Sequence, residues 1–323
     1  SQLPTDYPSA RFRRVPDCWE DEGDLQERTT VRYMADFNPA AYMLALEELC
    51  VESGVKILYD TRFCDVRREG THITHVIVEN KSGRSALAGT VFIDATGDAD
   101  VCFSSGEKTL SLGSNTIAGW FYTLTSGELK LHQPSKAYSP NADTENAEGP
   151  FFRGDDAEQV TEHILQTRKL VRDQLAEIRA SHPQQDTQVL MPAAMACFRM
   201  TRRLVADFTL ADSHMHQWFD DAIGLTGDWR RPGPVFAIPF RCLQAVQNSN
   251  LLVAGRCISV DNTAWDALRT IPPCVVTGEA AGTAAALAAS HTDGHIPTMD
   301  VSILKNQLCT QGVLLDPALA RRT

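Results

Sequence analysis

The chain has 323 residues, which is long enough to bury one large domain or two modest ones. Its 30 basic and 41 acidic residues give a net charge of −11, which argues against nucleic acid or an anionic membrane surface as the main partner. The longest apolar stretches are far shorter than the roughly 20 residues that a membrane-spanning helix needs.

Nine cysteines are scattered along the sequence, and none of them forms a C-x-x-C pair with another. Zinc and iron–sulfur sites commonly use such pairs, so we predict no metal site. His214 and His216 do not alter this prediction, because residues two apart on a helix do not share a face. An odd number of scattered cysteines fits reduced, mostly buried thiols and predicts a cytoplasmic protein.

The first part of the chain alternates helix and strand signals. Asn38 and Pro39 are typical of a helix start, apolar residues then recur at helical spacing, and Gly54 predicts the end of that helix. The short apolar run Val55–Leu58 predicts a buried strand. Together they indicate an α/β unit.

Two extended runs follow, at Arg62–Arg68 and His72–Glu79. A polar turn at residues 81–84 then leads into the apolar run Ala86–Ala95. This order predicts a small antiparallel meander inserted before a parallel strand.

The character of the sequence changes after Gly106, where a substrate domain is expected to begin. We predict, in chain order, a strand at Thr116–Leu124, a polar loop at Gln133–Gly154, an amphipathic helix at Asp155–Ala180, an extended segment at Val205–Leu210, a short helix at Asp212–Ile223 and a strand at Val235–Pro239.

The last part of the chain combines a strand, a glycine turn and a helix. The run Leu251–Ala254 has the length of a strand buried on both faces, and Gly255 permits a sharp turn after it. Pro272 and Pro273 predict the start of a helix. We expect free N–H groups just beyond them, at Cys274 and Val275, and such groups favour an anionic partner.

An earlier segment, Val91–Asp100, has the same strand-then-glycine arrangement. Gly97 lets the chain turn tightly at the carboxyl end of a strand, which is where α/β sheets bind ligands. Asp98 is then expected to cap the next helix. The alternative is an ordinary turn between a strand and a helix.

Both segments resemble a known family. Asn250–Ala289 looks like the C-terminal flavin-binding block of the FAD-dependent oxidoreductase family, whose members have a two-dinucleotide-binding-domain FAD fold. Val91–Asp100 is similar to the second FAD motif of that family, and Arg199–Leu210 resembles the arginine-rich strand of its substrate domain. The resemblance implies an α/β protein with an FAD/NAD(P)-binding Rossmann-like domain at 1–105 and 246–323, and an inserted α+β substrate domain at 106–245.

The Gly-x-Gly-x-x-Gly turn with which this family opens does not occur in the sequence. The Rossmann-like domain is therefore expected to be incomplete, without its N-terminal βαβ unit, and FAD binding by this chain is expected to be weak or absent. Gly278 and Gly282 should leave one helix face bare. We accordingly expect self-association or a missing N-terminal segment that covers this face.

The resemblance also implies a set of cofactor-binding residues. Arg256 could bind phosphate or form a surface ion pair, while the helix start at Ile271–Val275 would stabilise negative charge on a reduced flavin. Phe63 would contact the adenine through its main chain. The complete set is Phe63, Ala95, Thr96, Gly97, Asp98, Gly255, Arg256, Ile271, Pro272, Cys274 and Val275.

The catalytic residues are predicted as follows. Arg202, Arg203 and Arg269 are candidates for holding an anionic or carbonyl substrate, although each could instead be structural. Many relatives have a histidine where this chain has Val260-Asp261-Asn262, so Asp261 or Asp266 would have to act as general acid.

The predicted function is that of an FAD-dependent oxidoreductase that transfers a hydride between a small-molecule substrate and flavin N5. Three alternatives stay open. They are a redox-neutral flavoenzyme, a non-catalytic fragment or subunit that needs a partner segment to bind FAD, and a plain nucleotide-binding module.

Overall fold

The computed structural model describes residues 15–31, 33, 39–116, 121–133, 149–192 and 196–321, and these residues form a mixture of helices and strands. The helices are α1 (Pro39–Glu52), α2 (Asp100–Ser104), α3 (Ala157–Ser181), α4 (Asn262–Leu268), α5 (Ile271–His291), α6 (Val301–Thr310) and α7 (Pro317–Ala320). None of the helices in these ranges is long and apolar enough to cross a lipid bilayer.

The strands form several small sheets. They are β1 (Arg62–Glu69), β2 (His72–Asn80), β3 (Gly83–Ala88), β4 (Phe92–Asp94), β5 (Thr109–Ser111), β6 (Phe121–Thr125), β7 (Glu128–His132), β8 (Thr187–Met191), β9 (Arg202–Leu204), β10 (Ala222–Gly227), β11 (Val235–Pro239) and β12 (Leu251–Val253).

Strands β4 and β12 form a parallel pair, although about 160 residues separate them in the chain, and this pair organises the core. Residues Leu251, Leu252 and Val253 are fully buried, as the continuous apolar run predicts. Because the strands are parallel and in register from Leu251 opposite Phe92, their carboxyl ends lie at the same edge.

Helix α5 packs against this pair through very small side chains. Ala280, Ala281, Ala284 and Ala288 are completely buried, so the helix backbone lies close to its neighbours. The helix also contacts strand β10 of the β10–β11 hairpin. The core therefore joins the last part of the chain to the segment around β4.

The predicted antiparallel meander is confirmed as the sheet β1–β2–β3. Asn250, which is fully buried, attaches it to the parallel pair. Its Nδ2 donates to the carbonyl oxygens of Ile73 at 2.8 Å and Thr90 at 3.0 Å, and its Oδ1 accepts the N–H of Ile73 at 2.9 Å. The side-chain amide of Asn250 thus donates two hydrogen bonds and accepts one within the protein, and these bonds link the meander to the parallel pair.

A second group of elements lies between β5 and β9 in the chain. Strands β7, β6 and β8 form an antiparallel sheet in that order, and α3 contacts β8. The predicted helix is confirmed, and it begins after Asp156, whose carboxylate accepts the N–H groups of Glu158 and Gln159. Strand β9 pairs with β5 and contacts the turn at Gly255–Cys257, which links this group to the core.

Two predicted elements are wrong. Val55–Leu58 forms no strand, and Val55 and Leu58 are exposed rather than buried. Asp212–Ile223 contains only a 3-10 turn at Asp212–His214, and its end enters strand β10. The reason is tertiary, because Ala222 is completely buried and pairs with Pro239 of β11.

Three other predictions need smaller corrections. The strand predicted at Thr116–Leu124 begins at Phe121 in the described part of the chain, and most of the predicted loop at Gln133–Gly154 lies outside the described residues. The extended segment predicted at Val205–Leu210 is displaced, because strand β9 ends at Leu204.

The carboxylate of Glu107 fastens the loop that precedes β12. It is almost fully buried and accepts the backbone N–H groups of Val246, Gln247 and Asn248 at 2.8–2.9 Å. It also accepts the Nδ2 amide of Asn248 at 2.6 Å. A single charged group therefore accepts four hydrogen bonds, and the two from Asn248 come from buried donors that would otherwise have no partner.

We predict that Glu107→Ala lowers the free energy of unfolding by about 3 kcal/mol, since buried N–H groups lose their acceptor. Urea unfolding followed by circular dichroism measures this change. Glu128→Ala is the matched control, because Glu128 is exposed on β7 and should cost less than about 0.5 kcal/mol. Equal costs for the two variants would contradict this role of Glu107.

Candidate active site

The carboxyl ends of β4 and β12 are joined by Arg256. Its Nε donates to the carbonyl oxygen of Gly97 at 2.6 Å, and its Nη2 lies 2.8 Å from Oδ1 of Asp98. The indole Nε1 of Trp265 donates to the Arg256 carbonyl at 2.6 Å. Of the two predicted roles for Arg256, the structure therefore shows the ion pair with a nearby carboxylate.

Glycine is required at position 97 for two reasons. Its φ is +79°, in the left-handed region, and a Cβ there would lie 2.8 Å from the Nε of Arg256. Gly255, at the matching end of β12, also has a positive φ of +76°. The two turns therefore depend on residues without side chains, as the sequence predicts.

Asp94 shapes the turn at Gly97, and sequence reasoning did not identify it. Its fully buried carboxylate accepts from Thr96 through the backbone N–H at 3.1 Å and the hydroxyl at 2.7 Å, and from the N–H of Cys102 at 2.9 Å. An aspartate at the end of a buried strand was the available signal. Asp94 thus fixes both sides of the turn from Ala95 to Asp98.

The predicted helix cap by Asp98 is wrong. Helix α2 begins after Ala99, which has a left-handed backbone and no side-chain cap. The N–H of Asp100 is satisfied instead by the hydroxyl of Thr96 at 3.1 Å. The Asp98 carboxylate is engaged by Arg256, and this is why it does not cap the helix.

Helix α5 begins at this edge, but the prediction of free N–H groups at Cys274 and Val275 is wrong. The N–H of Cys274 donates to the Thr270 carbonyl at 3.1 Å, and in an α-helix that starts at Ile271 the N–H of Val275 reaches Ile271. Pro272 and Pro273 have no N–H to offer. What this helix end retains is the positive end of its dipole.

A cavity of about 790 Å³ opens beside these turns. One wall comes from Asp98 and Arg256, in the turns after β4 and β12, and from the residues just before α5. The other wall comes from α3 and the segment before β9. Its lining residues are Arg62, Asp98, Gly154, Val160, Ile164, Ala196, Cys197, Phe198, Arg199, Thr201, Trp229, Arg256, Arg269 and Thr270.

Among the predicted catalytic residues, Arg269 lies in the wall of this cavity. Its Nη2 forms an ion pair with Oδ1 of Asp266 at 2.6 Å. The backbone carbonyl of Asp266 accepts the indole N–H of Trp229, a neighbouring wall residue, at 2.8 Å. Asp266 therefore orients a cation and an aromatic ring on the same side of the cavity.

Arg202, Arg203 and Asp261 are not among the cavity-lining residues. Arg202 is buried, pairs with Asp100 at 2.6 Å and donates to the Asp98 carbonyl at 2.9 Å. Arg203 lies over the ring of Trp265, and burial lowers the pKa of its guanidinium. Asp261 caps α4 by accepting the N–H of Ala264.

Two cysteines flank the site, and burial keeps both thiols protonated. It raises the pKa of Cys257 to about 12 and also raises the pKa of Cys274. Cys257 donates a weak hydrogen bond to the Asp94 carbonyl at 3.4 Å. Because the thiolate is the reactive form of cysteine, these protonated thiols are unreactive, and their role is to pack against the turns.

Phe63 was predicted to contact the cofactor through its main chain, and its side chain packs against the core.

The start of α5 is open, with about half of the Ile271 and Val275 surfaces exposed. A Cβ placed on Gly278 or Gly282 would meet nothing within 4 Å among the described atoms. The predicted bare helix face is therefore present.

The family model for FAD dependent oxidoreductase matches residues 8–118 and 112–308. These matches cover most of the chain and include both glycine turns, so the chain belongs to the FAD dependent oxidoreductase family. Among curated proteins, none matches the sequence significantly. Family membership supports an oxidoreductase and flavoprotein class and agrees with the resemblance seen in the sequence.

A partly buried ion-pair network lies next to Trp229 in the chain. Arg230 pairs with Asp228 and Asp212 at 2.7 Å each and donates to the Thr263 carbonyl at 2.9 Å. Burial alone would raise the pKa of the Asp228 carboxyl, but the hydrogen bonds and charge of Arg230 outweigh burial and hold this pKa below its usual value.

We predict that this network makes stability depend on pH in the acid range. A carboxyl whose pKa is lowered by folding stabilises the protein above its unfolded pKa, about 3.9, and that stability is lost as the pH falls through the folded pKa. Thermal unfolding measured between about pH 6 and about pH 2 should therefore show a smaller loss of stability in Asp228→Asn than in the parent chain.

Asp173→Asn is the matched control, because Asp173 forms an exposed i,i+4 pair with Lys169. Its acid profile should follow the parent chain closely, as expected for a surface pair. If the Asp228→Asn and parent profiles were parallel, the network would not contribute as described.

Proposed function

We propose that this chain is an FAD-dependent oxidoreductase in which a hydride passes between a small-molecule substrate and flavin N5. The observation that carries the proposal is the cavity itself. It lies where the carboxyl ends of two adjacent parallel strands meet the start of α5, and α/β proteins bind ligands at such edges.

In this proposal the cofactor domain is Rossmann-like and discontinuous, with residues 1–105 and 246–323. The inserted α+β substrate domain comprises residues 106–245. The division is supported by the pairing of β4 with β12 across the intervening segment, and by the cavity walls, which come from both proposed domains. The substrate would then lie between the domains.

The residues at the strand ends fit the ribityl and isoalloxazine parts of FAD. Asp98 and Arg256, which follow the two glycines, line the cavity. The main chain at Gly255 is open, since a Cβ there would approach only the Sγ of Cys274, at 3.6 Å, whereas the Arg256 guanidinium covers Gly97. The segments that would hold the cofactor are Ala95–Asp98, Gly255–Arg256 and Ile271–Val275, with Phe63 proposed near the adenine.

The pyrophosphate part of FAD fits less completely. Arg256 is already paired with Asp98, so it offers no full charge to a phosphate. The sequence contains no Gly-x-Gly-x-x-Gly turn to receive the phosphates. We therefore propose that FAD binds weakly to this chain unless a further segment, from this or another polypeptide, covers the bare face of α5.

When bound, FAD supplies the hydride chemistry, and the protein binds and orients the substrate. The dipole at the start of α5 stabilises negative charge beside Thr270 and Ile271. Phe198 and Trp229 give the cavity aromatic walls against which a substrate can pack, and Arg269 holds a negatively charged or carbonyl oxygen. Asp266 positions Arg269 through their ion pair, and Asp261, the other candidate for moving a proton, caps α4.

Two alternative functions are considered, each with an experiment that separates it from the proposal. A redox-neutral flavoenzyme would use the same residues, and reduction of bound flavin by a substrate under anaerobic conditions separates the two. A non-catalytic subunit that needs a partner segment is favoured by the exposed apolar side chains of α1, Met43, Leu44, Leu46 and Leu49, and by the open face at Gly278 and Gly282. Sedimentation as a monomer at high concentration would count against that association.

We predict saturable but weak binding of FAD to the full chain. The quenching of flavin fluorescence during a titration measures this binding. Gly255→Val should abolish it, because a β-branched side chain disfavours a φ of +76° and fills the bare main chain. Gly113→Ala is the control, since its Cβ would make only an ordinary contact at 3.7 Å with Arg153. Unchanged binding in Gly255→Val would contradict the proposed cofactor site.

A further inference from the structure

The guanidinium of Arg199 lies in the cavity wall without a bound partner. It is half-buried, and it forms no hydrogen bond or ion pair with any described residue. Burial and the charge of Arg269 both lower its pKa. A cation placed in a partly desolvated wall near another cation is costly unless an anion joins it.

Arg269 has unused hydrogen-bonding capacity at the same wall. Its Nη2 pairs with Asp266, but its Nε is buried and has no partner among the described residues. Thr201, which also lines the cavity, is 1% exposed, and its hydroxyl likewise has no partner there. Both groups lie behind the cavity surface, so the wall at this point contains a charged guanidinium and an unpaired hydroxyl without a local acceptor among the described residues.

The charges around the cavity do not balance. Four arginines line it, and Asp98 is the one carboxylate among the described lining residues. Asp98 is paired with Arg256, and Asp266 compensates Arg269 from behind the wall. Arg199 is half-buried and has no ion pair with any described residue, although the charge of Asp266 acts on it as well as on Arg269, while Arg62 is exposed to solvent. The site therefore attracts a single negative charge.

The rest of the wall is apolar. Val160 and Ile164 project from α3, and Phe198 and Trp229 add aromatic rings. Such a wall favours a ligand with a hydrophobic body and disfavours a small, fully hydrated anion. One free guanidinium also matches a monoanion better than a phosphate dianion.

We infer that the cavity binds a carboxylic acid with an apolar body, its carboxylate held between Arg199 and Arg269 and its apolar part against Phe198, Ile164 and Trp229. The inference rests on the proposed function for the role of this ligand as substrate. A planar carboxylate accepts two parallel hydrogen bonds from one guanidinium, which makes arginine suited to this recognition.

Isothermal titration calorimetry of the full chain with benzoate tests the inference. Benzoate should bind, whereas benzamide, its neutral isostere, and phenyl phosphate should bind at least about tenfold more weakly. Arg199→Gln should weaken benzoate by about tenfold or more, and Arg199→Lys, which keeps the charge but not the fork, should lie between.

Arg84→Gln is the matched control, because Arg84 is an exposed arginine on β3 paired with Glu79, outside the cavity. It should leave benzoate affinity unchanged. Absence of benzoate binding, equal binding of benzoate and benzamide, equal or tighter binding of phenyl phosphate, or equal affinity in parent and Arg199→Gln would each overturn the inference. Unfolding temperatures of all variants identify any loss of fold, and Arg199→Lys then carries the test.

Titration of FAD on the same variants separates this inference from the proposed function. Arg199→Gln should keep the parent FAD affinity, since Arg199 is not among the proposed cofactor residues. Benzoate binding that depends on Arg199 in a chain that does not bind FAD would uphold the anion site and reject the flavin function. FAD binding without benzoate binding would uphold the flavin function and reject the anion site.

Discussion

The contact of Arg256 with the turn at Gly97 is the interaction on which the site depends. It joins the ends of β4 and β12. It also pairs with Asp98, the one carboxylate among the described cavity-lining residues, so that this charge does not neutralise the other arginines of the cavity. The contact is feasible because Gly97 leaves no Cβ in the path of the guanidinium. Two distant chain segments thereby form a single edge, and α5 begins beside it.

The cavity follows from this edge and from the segment that faces it. Asp94 and Asp266, both largely buried, fix the two sides by holding the Gly97 turn and the Arg269 side chain. The polar groups of the edge are largely satisfied within the protein. Arg199, which has no hydrogen bond or ion pair with a described residue, and Arg269, whose Nε has no partner there, both lie in the cavity wall, and the proposed anion site therefore depends on the wall.

Local patterns predicted the elements whose formation is decided locally. The apolar run at Leu251, the proline start of α5 and the meander are examples. The resemblance to the family was based on the motifs at Val91–Asp100, Arg199–Leu210 and Asn250–Ala289, and the family match confirms it. Asp212–Ile223 was misread because its conformation is set by pairing with β11. The partner of Arg256 is Asp98, which lies far away in the chain, so the sequence could not reveal it. Sequence spacing likewise could not show that Arg199 lines the cavity while the nearby Arg202 and Arg203 do not.

We propose that the two glycine turns and the start of α5 form one FAD site. Hydrogen exchange of the backbone amides, measured by mass spectrometry with and without saturating FAD, tests this proposal most directly. We expect FAD to slow exchange in the peptides around Gly97, around Gly255 and around Cys274, all three together, with little change in the β6–β7 hairpin. Protection confined to one of these segments, or found only elsewhere, would show that they do not form one site.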